Sequence, residues 1–252
     1  MDVVILAGGS GTRLREMTEF IPKPLIQVGG KPLIYHIMKI YAHYGFTDFI
    51  LALGFKQEMF KEYFAHFNEI NNDCVMHVGN YQGMTHQETK DNWRITLSDT
   101  GLNTLKGGRL KKVERYVNGD FFMTYGDAVA DVDIKKLLEF HRRHGKLATV
   151  TGVPAPPRFG ELKHRTGTVE SFSEKPESDT LINGGFFVFN NRIFDYLTNN
   201  CDLEIGPLER IAAEGELKVY YHKGYWACCD TLRDLDALQE EWDTGKPKWR
   251  VW

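Results

Sequence analysis

The chain has 252 residues, 42% of them hydrophobic and 26% charged, with a formal net charge of −3. That length closes a sizeable core without disulfide or metal staples, and the charge excludes the global basic field that holds nucleic acid, so any attraction for phosphate is local. No apolar run approaches the roughly eighteen residues of a membrane span, and a strand stands where a signal peptide would carry its basic and apolar regions; a cytoplasmic protein with no membrane partner is expected.

Val3 to Ala7 reads as a short buried strand, residues 2 to 7, that runs into Gly8-Gly9-Ser10-Gly11-Thr12-Arg13. Lys23 follows between Pro22 and Pro24. A helix begins at Pro32, with Leu33, Ile37, Ile40 and Tyr41 on one face, and stops at Gly45. Phe49 to Leu53 is the next buried strand, and residues 56 to 67 form a helix whose Phe60, Tyr63, Phe64 and Phe67 read as core packing. A short strand at 74 to 78 precedes a polar loop at 79 to 92; the segment 93 to 117 ends in Gly107-Gly108-Arg109, read as a loop leading to a helix. Phe121 to Tyr125 is a strong strand ending at Gly126-Asp127, followed by a helix over 132 to 144 and a strand over 147 to 153. This alternation predicts an α/β fold, a doubly wound, mostly parallel Rossmann-like sheet. After Pro154, Pro156 and Pro157 the pattern changes to shorter strands near Leu162, 168 to 172 and 185 to 189, helices near 206 to 214 and 233 to 243, and a strand at 217 to 222. A single domain is expected over 1–252, with a core over 1–153 and a smaller mixed α+β lobe over 154–252. Cys74, Cys201, Cys228 and Cys229 contain no CxxC pair and read as reduced thiols, while His141 and His144, beside Arg142 and Arg143, read as solvated helix surface.

Ligands of an open parallel sheet gather at the carboxyl ends of its strands. One such end delivers Gly8 to Arg13, where backbone N–H groups can approach a phosphate and Arg13 and Lys23 supply positive charge. It is not the dinucleotide fingerprint, because Leu14 stands where the third glycine belongs, nor the mononucleotide P-loop, because Gly30-Lys31 is followed by Pro32. Another end frees Asp127, which on residues alone is either a helix cap or a cation ligand. Asp230 opens DTLRDLDAL, whose spacing announces a helix, and Asp234 and Asp236 read as surface charges on it.

The run LAGGSGTRL followed by IPKPLIQVGGKPLI resembles the signature of the nucleotide-sugar pyrophosphorylases, the sugar-1-phosphate nucleotidylyltransferases. The resemblance implies catalytic roles for Arg13 and Lys23 and a nucleotide site built from Leu6, Ala7, Gly8, Gly9, Ser10, Gly11, Thr12, Arg13, Lys23, Thr104, Arg109 and Gly126. It implies Mg²⁺ on Asp127 and Asp230, and a sugar-phosphate site from Glu174, Lys175, Asn183 and Gly184 in the C-terminal lobe. Taken alone, Glu174-Lys175-Pro176 is a common surface turn and Gly184-Gly185 is equally a β-bulge. The GGRLKKV block and the Trp-rich tail resemble the cytidylyl branch, which implies CTP and glucose 1-phosphate as substrates, a homo-oligomer, and supply of deoxysugar for surface polysaccharide. Thymidylyl and uridylyl relatives share the GGSGTR and EKP elements. The chain departs from the pattern at Leu203 to Pro207 and at the Cys228-Cys229 pair.

Overall fold

The first strand, β1 (Asp2–Leu6), is buried along its whole length, and its side chains alternate between two cores. Val3 and Ile5 pack on one face of the sheet, Val4 and Leu6 on the other. Such two-sided burial is what a central parallel strand requires. The computed structural model describes residues 1–9, 19–76, 84–86, 91–155, 160–174 and 180–252.

In chain order, β2 (Gln27–Val28) and β3 (Lys31–Pro32) form a small hairpin that feeds α1 (Leu33–His43), for which Pro32 is the cap. β4 (Asp48–Leu53), α2 (Gln57–Ala65), α3 (Phe67–Asn71), the paired β5 (Cys74–Met76) and β6 (Met84–His86), and β7 (Arg94–Asp99) come next. They are followed by α4 (Lys106–Lys112), β8 (Phe121–Tyr125), β9 (Ala128–Ala130), α5 (Ile134–His144) and β10 (Ala148–Pro154). β11 (Glu161–Arg165) and β12 (Thr168–Ser173) form an antiparallel hairpin. The last elements are β13 (Leu181–Phe189), α6 (Glu209–Ala213), β14 (Leu217–Tyr221), β15 (Trp226–Cys228) and α7 (Leu232–Asp243).

Seven of these strands make one sheet in the order β14-β10-β13-β8-β1-β4-β7. Every neighbouring pair is parallel except those made by β13, which runs against both β10 and β8. The expected α/β, mostly parallel architecture is therefore present, and helices flank both faces through the two cores. No helix among the described residues is long and apolar enough to cross a membrane.

Several local expectations are corrected. The helix over 56 to 67 is two helices parted at His66, with Phe60 fully buried and Tyr63, Phe64 and Phe67 less so. The segment 93 to 117 contains an edge strand, β7, and Gly107-Gly108 lies inside a helix, not in a loop before it. Glycine costs helix stability but is required here by close approach: a Cβ on Gly107 would stand 2.5 Å from the Asp202 carbonyl oxygen, and one on Gly108 2.6 Å from that of Asn199. The strand at 185 to 189 is the end of a nine-residue strand. Its ladder with β10 shifts register between Val150 and Gly152, opposite Gly184-Gly185, so the bulge reading of those glycines holds. Of the loop at 79 to 92, residues 79–83 and 87–90 lie outside the described residues.

His141 is not solvated; it is 3% exposed. Its Nδ1 and the Nε2 of His144 each lie 2.8 Å from the hydroxyl of Thr149, which serves both rings. Burial pushes the His141 imidazole down from 6.5 to about 4. The unfolded chain takes up a proton near pH 6.5 that the folded chain refuses, so stability fully present above that pH is lost as the pH falls toward 4. Between pH 7 and pH 5 the expected loss is about 2 kcal/mol, and His141→Gln should flatten that part of a plot of Tm against pH. An identical slope in the variant would exclude this histidine as the source.

Candidate active site

β1 and β8 are parallel neighbours in register, Leu6 opposite Tyr125. Their carboxyl ends therefore emerge side by side, and the turn at Gly8-Gly9 leaves the sheet next to Gly126-Asp127. Asp127 does not cap a helix, because β9 follows it and the cap of α5 is Asp133, whose side chain accepts from the N–H of Lys136. β9 pairs antiparallel with β15, Ala128 opposite Cys228, and the N–H of Cys229 donates to the carbonyl of Asp127 at 2.8 Å. That pairing carries Asp230 to Asp127 across a hundred residues of sequence.

Asp230 lies one residue before the cap of α7, which is Thr231. Asp234 is no mere surface charge: its carboxylate accepts from the N–H groups of Thr231 at 2.8 Å and Asp230 at 3.0 Å. The capping box Thr231-Leu232-Arg233-Asp234 was the available signal for this role. With the cap supplied by Thr231 and Asp234, the Asp230 side chain is left to face the cavity.

What it meets there is Lys23. The ammonium donates to Oδ2 of Asp127 at 2.8 Å and to Oδ1 of Asp230 at 2.5 Å. Lys23 sits in a single 3₁₀ turn, Lys23–Leu25, and Pro24 rests against Gly126, where a Cβ would stand 2.8 Å from the proline ring. Burial works against the lysine's charge, but Asp127 and then Asp230 outweigh it and hold its pKa above the ordinary lysine value. Burial first, then Asp230, pushes the nearby Cys228 thiol up to about 11, so it stands neutral in the wall.

A cavity of about 600 Å³ opens over these strand ends. Of the residues expected at the site, Leu6, Ala7, Gly8, Gly9, Lys23, Thr104, Arg109, Gly126, Asp127, Asn183, Gly184 and Asp230 all line it. Glu174, at the end of β12, is exposed and does not. Ser10, Gly11, Thr12, Arg13 and Lys175 lie outside the described residues. Residues not anticipated also line it, among them Lys106, Tyr125, Asp202 and Trp226. The Trp226 indole donates to the carbonyl of Gly184 at 2.7 Å and so holds the glycine shelf of β13.

Arg109 is 4% exposed and is engaged by the backbone. Its Nη1 donates to the carbonyls of Leu53 and Gly101 and to the Thr100 hydroxyl, and its Nη2 to the carbonyl of Leu102. Burial lowers its pKa below the arginine norm. The guanidinium thus braces the ends of β4 and β7, and it lies directly under Gly8 and Gly54, where a Cβ on either would run into it. Gly9 has nothing within 4 Å of a built Cβ. Gly8→Ala is therefore expected to displace the brace at a cost of about 1–3 kcal/mol, whereas Gly9→Ala should leave Tm almost unchanged. Equal melting temperatures for the two variants would show that the guanidinium tolerates the methyl.

Residues 2–245 match the family model described as Nucleotidyl transferase. The glucose-1-phosphate cytidylyltransferase of Salmonella typhimurium is 46% identical to this chain over 256 residues, covering 100% of both. A probable glucose-1-phosphate cytidylyltransferase of Bacillus subtilis is 43% identical over 257 residues, again covering 100% of both. Among solved structures, HddC from Yersinia pseudotuberculosis aligns with a TM-score of 0.68 at 26% identity, covering 96% of this chain and 99% of that one. The chain belongs to the nucleotidyl transferase family.

Proposed function

We propose that the protein makes CDP-glucose and pyrophosphate from CTP and glucose 1-phosphate. The observation that carries this reading is the meeting of Lys23, Asp127 and Asp230 beside the Gly8-Gly9 turn, in a cavity that also reaches Asn183 and Gly184. Its volume of about 600 Å³ suits small-molecule substrates. The full-length similarity to named cytidylyltransferases supports the choice of base and sugar.

An oxygen of the sugar phosphate bonds to the α-phosphorus of CTP, and the bond from that phosphorus to the bridging oxygen breaks, with pyrophosphate leaving in line. The nucleophile is already an anion, so the protein's work is alignment and cancellation of charge. Lys23 would neutralise the α-phosphate and Arg13 the leaving pyrophosphate. Lys175 would meet the phosphate of the sugar, with Asn183 and the Gly184 shelf on its hydroxyls. Thr104 would face the nucleotide, and Arg109 would act from beneath by holding the Gly8 turn in place.

Magnesium is the ion implied for the two aspartates, and the residues fit it. Both are hard oxygen donors, and both already converge on one cation, the Lys23 ammonium, at 2.5 and 2.8 Å. A magnesium ion completes its octahedron with water and substrate phosphates, so two carboxylates are a sufficient protein complement. When bound, Mg²⁺ supplies charge neutralisation that the phosphates of both substrates need to approach one another. A homo-oligomer in the cytoplasm belongs to the same proposal, and light scattering on the purified chain checks the oligomer.

A thymidylyl- or uridylyltransferase reading is the rival, since the GGSGTR and EKP elements are common to those relatives. Pyrophosphate release from each of the four ribonucleoside triphosphates and from dTTP, against a panel of sugar 1-phosphates with Mg²⁺, separates the two. CTP with glucose 1-phosphate should be fastest; a preference for UTP or dTTP overturns the cytidylyl reading. Lys23→Ala and Arg13→Ala should each lower turnover by about 10² to 10³ while remaining folded, and near-normal turnover in either removes that residue from the mechanism.

A further inference from the structure

A second set of polar side chains in the cavity wall is joined end to end. Lys106, the first residue of α4, pairs with Oε1 of Glu204. The same oxygen accepts from the Tyr125 hydroxyl at 2.5 Å. The Tyr125 oxygen in turn accepts from Nδ2 of Asn183 at 3.2 Å, and Oδ1 of Asn183 accepts from the N–H of Gly185 at 2.9 Å. Lys106, Tyr125 and Asn183 line the cavity, whereas Glu204 does not. The carboxylate therefore reaches a ligand only through its partners.

The segment that presents Glu204 is the one at which the sequence departs from the nucleotide-sugar pyrophosphorylase pattern. Leu203 is fully buried and anchors it, Asp202 Oδ1 accepts from the N–H groups of Glu204 and Ile205, and the backbone leaves helical geometry at Ile205 and at Gly206, with φ +94. At the other end Tyr125 is seated on Gly185, which has φ +81 and where a Cβ would stand 2.7 Å from the ring. Both ends of the chain of bonds are thus held by backbone shape.

The directions follow from the two ends: the N–H of Gly185 only donates and so fixes the Asn183 carbonyl, and Glu204 fixes the bonds on the Tyr125 side. A carboxylate only accepts, so Tyr125 gives its one proton to Glu204 and can only accept from Asn183. Burial, and then Glu204 itself, raises the tyrosine pKa far above its ordinary value, so that proton stays in place. Asn183 must then turn its NH₂ toward Tyr125 and its carbonyl toward Gly185. Without Glu204 the phenol could turn its proton toward Asn183, where the NH₂ set by Gly185 cannot accept it, so the amide loses its second anchor and is held at the Gly185 end alone.

We propose that Glu204 is a positioning residue that, through Tyr125, keeps the Asn183 NH₂ anchored and thereby sets which hydroxyl arrangement of a hexose 1-phosphate the cavity accepts. The inference rests on the reading above that Asn183 meets the sugar. A misplaced hydrogen bond at one hydroxyl corresponds to about a tenfold effect.

The test is steady-state kinetics with CTP and glucose, galactose or mannose 1-phosphate. Tyr125→Phe and Glu204→Leu should each raise KM for glucose 1-phosphate about tenfold and narrow the preference over the epimers about tenfold. kcat and KM for CTP should stay within about twofold, while Glu204→Gln, which can still accept from the phenol, keeps most of the preference. In an Asn183→Ala background neither substitution should add anything. Should Glu204→Leu fail to fold, Tyr125→Phe carries the test alone. An unchanged sugar KM and epimer ratio in Tyr125→Phe overturns the proposal, as does an equal loss in KM for CTP. If Asn183→Ala raises the sugar KM while Tyr125→Phe does not, the sugar reading of Asn183 stands and only the relay falls. If Asn183→Ala itself has no effect, both fall.

Discussion

Two carboxylates forced to share a small volume need a cation between them, and much of this molecule serves that requirement. Asp127 comes from the end of a central strand, Asp230 from the end of β15, and Lys23 from a 3₁₀ turn between prolines. Each is delivered by a different device: a parallel register, an antiparallel pairing with β9, and a proline packed on Gly126. Burial works against the lysine's charge, and the two acids more than offset it. A half-buried charge cluster of this kind is a poor source of stability but a specification of geometry, because removing one member leaves the others less well compensated.

The glycine of the turn after β1 serves the protein itself. The atom a side chain on Gly8 would strike first is a nitrogen of Arg109. That arginine is consumed by main-chain carbonyls at the ends of β4 and β7. The floor of the cavity beneath Gly8 is therefore stiffened from below.

The features visible in the sequence are those with a strong local cause. β1, α1 and β8 are apolar runs or clean helical stripes bounded by glycine and proline, and the freed acid at the tip of β8 stands out because nothing else there is polar. Asp230 was visible only through resemblance, since its approach to Asp127 depends on a pairing across the whole C-terminal half. β7 was missed because an edge strand carries few apolar residues. The start of α4 was misplaced because its two glycines violate helix propensity to satisfy a contact with residues 199 to 202. His141 was misread for a similar reason: its basic neighbours are surface groups, but its own position faces Thr149 in the core. The Lys106–Glu204–Tyr125 chain joins elements that no local pattern connects.

The placement of β13 has a consequence for how the chain is made. It is the antiparallel strand between β10 and β8, and it arrives only at residue 181, after the other strands of the N-terminal half have already left the ribosome. Until then β8 has a bare ladder on one side and β10 has no partner linking it to the rest of the sheet. A nascent chain halted before that point carries an open, strongly apolar strand edge of the sort that recruits foreign strands. Completion of the sheet is in this sense a late event, and the Gly184-Gly185 shelf on β13 comes into being together with the central seam of the fold.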